Sequence, residues 1–177
     1  MKKWIVVWTA LLLLFGCETK EHKKDVIYIV ATTGQIADLV ERVGGEHVHV
    51  EALMGPGVDP HLYKATQGDI QKLSQADVIF YNGLHLEGKL GEIFSKMSKT
   101  KKVVPISEAI PKEKLIDVDG VYDPHIWFDL DLWSYAVRTV KDELSAIDPK
   151  HKQTYEERGE EYISELMKLK EEAKREN

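Results

Sequence analysis

Two tripeptides carry the residues best suited to chemistry: Asp59-Pro60-His61 and Asp123-Pro124-His125. The chain has only six prolines and seven histidines, so the same triplet twice is more informative than a turn motif met once. Proline fixes its own φ and pushes the preceding residue toward extended geometry, so each imidazole is presented from a stiff backbone. Neutral imidazole is the commonest side-chain metal ligand, and a ligating ring usually donates its other N–H to a carboxylate or carbonyl. The pattern points to His61 and His125 as ligands of one metal ion. Asp59 and Asp123 stand where they could orient those rings, and equally where they could cap the backbone of their own turns.

The other histidines have weaker claims. His85, in Asn82-Gly83-Leu84-His85-Leu86-Glu87, follows a strand and is a third, weaker ligand candidate; a turn-and-cap role accounts for it as well. Glu87 reads as a first-turn helix residue. His47 and His49 alternate with valines and are expected on one polar strand face. His22 and His151 read as solvated.

Strands and helices must position the triplets. Val26 to Ala31 is a continuous apolar run of strand length, as expected of a parallel strand buried on both faces. Ile36, Leu39, Val40 and Val43 form a helical stripe closed by Gly44-Gly45. Val48 to Met54 reads as a second strand, and Thr66 as the cap of a helix carrying Ile70 and Leu73. Val78 to Tyr81 is a third strand, Leu90 to Met97 a helix, and Val103 to Ile106 a short fourth strand. Strands separated by helices predict an α/β fold with a mainly parallel sheet. Leu130 to Leu144 then gives one helix, and Tyr155, Tyr162, Ile163, Leu166 and Leu169 mark another that runs to the end. On so small a lobe that last stripe has no evident partner. It is expected to be exposed, open to self-association, and to fray beyond Leu169.

The chain of 177 residues carries 24 basic and 30 acidic side chains, a net charge of −6. That balance argues against a nucleic-acid partner. A single cysteine excludes a disulfide framework, a four-cysteine zinc site and an iron–sulfur cluster. That cysteine, Cys17, directly follows Lys2-Lys3 and the apolar run Trp4 to Phe15, the layout of a lipoprotein signal. Residues 1–16 are expected to be a signal peptide, 17–25 a flexible leash, and Cys17 the site of lipidation. Residues 26–147 would be an α/β metal-binding lobe and 148–177 a long helix.

Taken in order, the lipobox, Thr32-Thr33-Gly34-Gln35-Ile36, Gly57 to Tyr63, Ala76 to Glu87 and Tyr122 to Trp127 resemble the metal-receptor lipoproteins of ABC importers for manganese, zinc or iron, a family that includes adhesins. The resemblance implies two α/β lobes joined by a connector helix, with metal held in the cleft and passed to an ABC permease. It implies His61 and His125 as ligands from the N-terminal lobe, and two more ligands from a C-terminal lobe. The expectation is a chain truncated to the N-terminal lobe plus connector, with the C-terminal lobe absent. Zinc-importing members often carry a histidine-rich acidic loop between the two N-lobe ligands. The lack of any histidine between Leu86 and Pro124 therefore favours Mn2+ as cargo over Zn2+ or Fe2+.

The expected product is thus a receptor on the outer face of the bacterial cytoplasmic membrane, not an enzyme. A non-transporting truncated product or adhesin-like surface protein is the alternative. A secreted metallohydrolase is remote, since no His-Glu-x-x-His pair accompanies a third ligand and general base.

Overall fold

The computed structural model describes residues 26–176, so the expected signal peptide, leash and lipidated Cys17 lie outside the described residues. Four strands, Ile27–Ala31 (β1), Val48–Ala52 (β2), Val78–Tyr81 (β3) and Lys102–Pro105 (β4), form a parallel sheet in the order β2-β1-β3-β4. Helices Gly34–Gly44 (α1), Gln67–Gln75 (α2) and Gly91–Met97 (α3) make the crossovers. A two-stranded antiparallel hairpin, Asp117–Val118 (β5) with Val121–Tyr122 (β6), precedes Leu130–Ile147 (α4) and Lys152–Glu176 (α5).

Strand alternation divides the core into two layers. Ile29, Ala31, Val78, Phe80 and Val104 face α1, α4 and α5, while Val30 and Ile79 face Leu73, Leu90 and Phe94. The central strands are buried on both sides, which is why they read as unbroken apolar runs.

The helix ends follow from local chemistry. The Thr33 hydroxyl caps α1, and Thr66 and Asp69 form a reciprocal capping box on α2. At the other end of α2, Lys101 Nζ donates to the carbonyls of Leu73, Ser74 and Ala76 at 2.9, 2.7 and 2.5 Å. These are the acceptors a helix C-terminus leaves unmet.

The last helix departs from expectation. Tyr155, Tyr162, Ile163 and Leu166 are buried against α4 and α1 and are not available for self-association, while Leu169 at the far end is exposed as expected. The missing partner is the pair of earlier helices on that side of the sheet. Trp133 Nε1 donates to Tyr162 Oη at 3.2 Å, and Arg42 lies 4.2 Å over the Tyr162 ring. A Cβ on Gly159 would meet the Lys141 side chain at 2.8 Å, so glycine permits the close approach of α4 and α5. His151 is not simply solvated either. Its ring stacks on His47 with centroids 3.7 Å apart, and Nδ1 lies 2.6 Å from Asp148 Oδ2. Tyr155 Oη donates to the same oxygen at 2.8 Å. Burial pushes the Asp148 carboxyl upward, but the bonds from His151 and Tyr155 outweigh it and hold the group below its ordinary range. His47 sits in the short turn before β2 and faces α5, so it does not share a strand face with His49.

The helix continues to Glu176, yet residues 171–175 are all exposed. Hydrogen exchange should therefore show strong protection from Tyr155 to Leu166 and little beyond Lys170. Uniform protection to the end would mean that another surface covers the last turns.

One tyrosine ties the His61 loop to the sheet. Tyr63 Oη donates to Asp69 Oδ2 at 2.7 Å and reaches the Leu53 carbonyl at 3.4 Å, bridging the end of β2 and the start of α2. Burial first, then the Asp69 bond, pushes its phenol from 10.0 to about 12. A raised folded value means this contribution is complete below 10.0 and lost as pH rises through about 12. Tyr63→Phe should cost about 1 kcal/mol at neutral pH and flatten the alkaline end of a stability–pH curve, measured by urea unfolding.

Candidate metal centre

Strand order 2-1-3-4 makes the chain turn opposite ways after β1 and β3, and the crevice at their carboxyl ends is where open α/β sheets place ligands. Both Asp-Pro-His turns reach this edge. The His61 loop leaves the end of β2, where Leu53 and Met54 N–H groups continue the ladder onto the carbonyls of Ala31 and Thr32 at 2.9 and 3.0 Å. The His125 turn follows the β5–β6 hairpin and leads into α4.

The structure brings the two rings together. His61 Nε2 and His125 Nε2 lie 3.3 Å apart, with the ring planes tilted by 57°. Two nitrogens bound to one tetrahedral ion at about 2.0–2.1 Å would be separated by about 3.3–3.4 Å. The observed spacing also suits an N–H···N bond when one ring carries its proton on Nε2.

The two aspartates act differently. Asp123 Oδ1 accepts the His125 backbone N–H at 2.9 Å and lies 2.5 Å from its Nδ1. A proton on Nδ1 directed at Asp123 leaves the Nε2 lone pair facing His61. The backbone N–H of His125 first, then its ring, holds the Asp123 carboxyl below the usual range. Asp59 Oδ1 instead accepts the His61 backbone N–H, at 2.8 Å, and so caps its turn. The Trp127 and His125 rings meet edge to face with centroids 5.3 Å apart, and Leu62 and Phe128, the neighbours of His61 and Trp127 in sequence, are exposed.

His85 is exposed and lines a separate cavity of about 540 Å³ with Tyr81, Phe94 and Tyr122. It lies in a left-handed turn, Gly83 φ 84°, Leu84 φ 51° and His85 φ 64°. Only glycine suits the first position, since a Cβ there would also meet Ser107 Oγ at 2.6 Å. Among the described residues no cluster of three or more His, Cys, Asp or Glu is arranged to hold a metal.

Glu87 is not a first-turn helix residue. It precedes α3 and is buried, 4% exposed, with Oε1 accepting Thr32 Oγ1 at 2.6 Å and Asn82 N–H at 2.8 Å. Burial raises its carboxyl, partly countered by those bonds. The one sequence signal for this role is an acidic residue six places after the strand, beyond Asn82-Gly83.

The family model described as "ZnuA: Zinc-uptake complex component A periplasmic" matches residues 29–176. The chain is 47% identical over 161 residues to the manganese-binding lipoprotein MntA of Bacillus subtilis, covering 88% of this chain and 53% of that one. It is 46% identical over 142 residues to the zinc-binding protein TroA of Treponema pallidum, covering 80% and 46%. With an iron ABC transporter substrate-binding lipoprotein, MtsA of Streptococcus pyogenes, it shares 35% identity over 92% of this chain and 56% of that one. The solved structure of the Treponema zinc-binding protein superposes with a TM-score of 0.79 over 81% of this chain and 52% of that chain. The chain thus spans about half the length of the curated relatives it matches. Motif order, parallel-sheet topology and these likenesses agree: the chain belongs to the ZnuA family of metal-binding substrate-binding proteins of ABC transporters.

Proposed function

We propose that this protein captures a divalent transition metal through His61 and His125 and delivers it to an ABC permease. The observation carrying this reading is the 3.3 Å approach of the two Nε2 atoms, a spacing at which one ion can bond both rings. Asp123 supports it by holding the His125 ring with Nε2 outward. Asp59 serves the same site more indirectly, by fixing the turn that presents His61.

Manganese is the proposed cargo ahead of zinc and Fe2+. A relative at 47% identity is named for manganese binding, and the stretch between Leu86 and Pro124 has no histidine to favour zinc. Zinc would still bind more tightly in vitro, following the Irving–Williams order. Membrane attachment is proposed through lipid on Cys17 after removal of residues 1–16, on the outer face of the cytoplasmic membrane; relatives are named lipoproteins. Among the described residues no helix is long and apolar enough to cross a membrane. Residues 26–147 are read as the metal-binding lobe, and α5 as the start of a connector to a further lobe.

Calorimetric titration with Zn2+ and Mn2+ tests the ligands. Each of His61→Ala and His125→Ala should lower affinity about tenfold or more, and His85→Ala should leave it unchanged. Binding should also weaken on acidification, because a protonated imidazole cannot ligate. If His85→Ala causes the loss instead, the site belongs to the neighbouring loop.

Anchoring is tested by feeding labelled fatty acid to expressing cells. Label should enter the wild-type chain and not Cys17→Ser; equal incorporation would remove the lipoprotein reading.

A further inference from the structure

One buried side chain reaches from the sheet into a ligand turn. Asn82, directly after β3 and 1% exposed, donates through Nδ2 to the Pro124 carbonyl at 2.9 Å and to the Gly83 carbonyl at 3.1 Å. The Pro124 carbonyl belongs to the peptide unit that carries the His125 nitrogen. That unit is therefore held from both sides, by Asn82 on its oxygen and by Asp123 Oδ1 on its N–H at 2.9 Å. A peptide plane gripped at both polar atoms has little freedom to rotate, and the direction of the His125 side chain is fixed with it.

Asn82 is a poor choice for stability alone. Both amide hydrogens are directed at carbonyls, and among the described residues its buried Oδ1 finds no donor. An apolar side chain would fill the space without an unmet acceptor, so what the amide adds is the grip on Pro124. Asn82 is itself anchored, since its backbone N–H meets Glu87 Oε1 at 2.8 Å and that oxygen also takes Thr32 Oγ1. The Thr32 carbonyl accepts Met54 N–H at 3.0 Å, where the His61 loop begins. One buried node thus sets the origin of both ligand-bearing segments.

Resting on the metal-capture reading above, we propose that Asn82 is a positioning residue that sets His125 opposite His61 for a shared divalent cation. The test is a Zn2+ titration of the wild-type chain, Asn82→Ala, His125→Ala and the double variant, with thermal melts alongside. Asn82→Ala is expected to lower affinity about tenfold where His125 is present and to change nothing where it is absent. An equal loss in both backgrounds would make Asn82 a general packing residue, and no loss in either would remove the role. A chain that binds Zn2+ regardless of His61→Ala and His125→Ala, or does not bind it at all, would sink the metal-capture reading and this role together. If Asn82→Ala melts too early to titrate, the wild-type chain answers the question. Its Asn82 side-chain amide NMR signals should shift on Zn2+ addition with the same midpoint as the His125 ring. Amide signals that stay fixed while the ring responds would overturn the role.

Discussion

The functional edge depends on one buried carboxylate. Glu87 lies where β1 and β3 end side by side, and a single oxygen accepts from Thr32 at one strand end and from Asn82 at the other. Burial disfavours its charged form, and hydrogen-bond donors pull the other way. A buried carboxylate met by several donors is costly to leave half-satisfied, so the group enforces one arrangement of the crevice where a hydrophobic contact would tolerate several. Parallel strands gain from such a lock because their crossovers diverge here, and the last β1–β3 backbone bond runs from Thr32 N–H to the Phe80 carbonyl at 3.1 Å. The Glu87 contacts continue the β1–β3 pairing after the backbone pattern has stopped.

A second constraint fixes the direction of α5. The helix buries two tyrosines, an isoleucine and a leucine against α4 and α1, and its first turn is tied down by Asp148, which takes bonds from Tyr155 and His151. The His47–His151 stack adds a contact to the turn before β2, and Arg158 Nε donates to the Arg42 carbonyl at 2.8 Å, near the end of α1. Arg42 also pairs with Glu165 at 3.0 Å. Contacts spread over four helical turns set an axis far better than a loop could. A helix so held, then emerging with exposed charged turns, has the mechanical character of a strut.

The central strands were legible because they are buried on both faces and carry few polar interruptions. The helix stripes and the Thr66 cap were legible from 3.6-residue periodicity and turn chemistry. Errors came where partners are distant in sequence. Tyr162 looked unpartnered because Trp133 and Arg42 reach it from separate elements. His151 looked solvated because nothing local announces a ring stack with His47, over one hundred positions earlier. Glu87 resembled a helix start because an acidic residue before an amphipathic stripe has that meaning in most contexts; the left-handed turn at Leu84 and His85 folds it inward instead. The two histidines could be paired on paper because the triplet repeats. The division of labour between Asp59 and Asp123 could not, since identical triplets end in different side-chain geometry.

On the proposed metal-capture reading, selectivity would not reside in the histidine pair itself. Two imidazole nitrogens favour later first-row ions, and zinc outcompetes manganese at such a pair at equal concentration. The 3.3 Å spacing imposes no discrimination either, because neighbouring positions of a tetrahedral ion and of a six-coordinate ion are separated by similar distances. The pair is moreover open to water on one side, with His125 at 38% side-chain exposure, so an ion held here keeps solvent in its remaining positions. Preference must then come from the groups that replace that solvent. Carboxylates completing an octahedron move the balance toward manganese, whereas a third imidazole closing a tetrahedron moves it toward zinc. A rigid two-histidine half-site, as proposed here, would serve either outcome unchanged, which fits a chain similar to relatives named for manganese, zinc and iron.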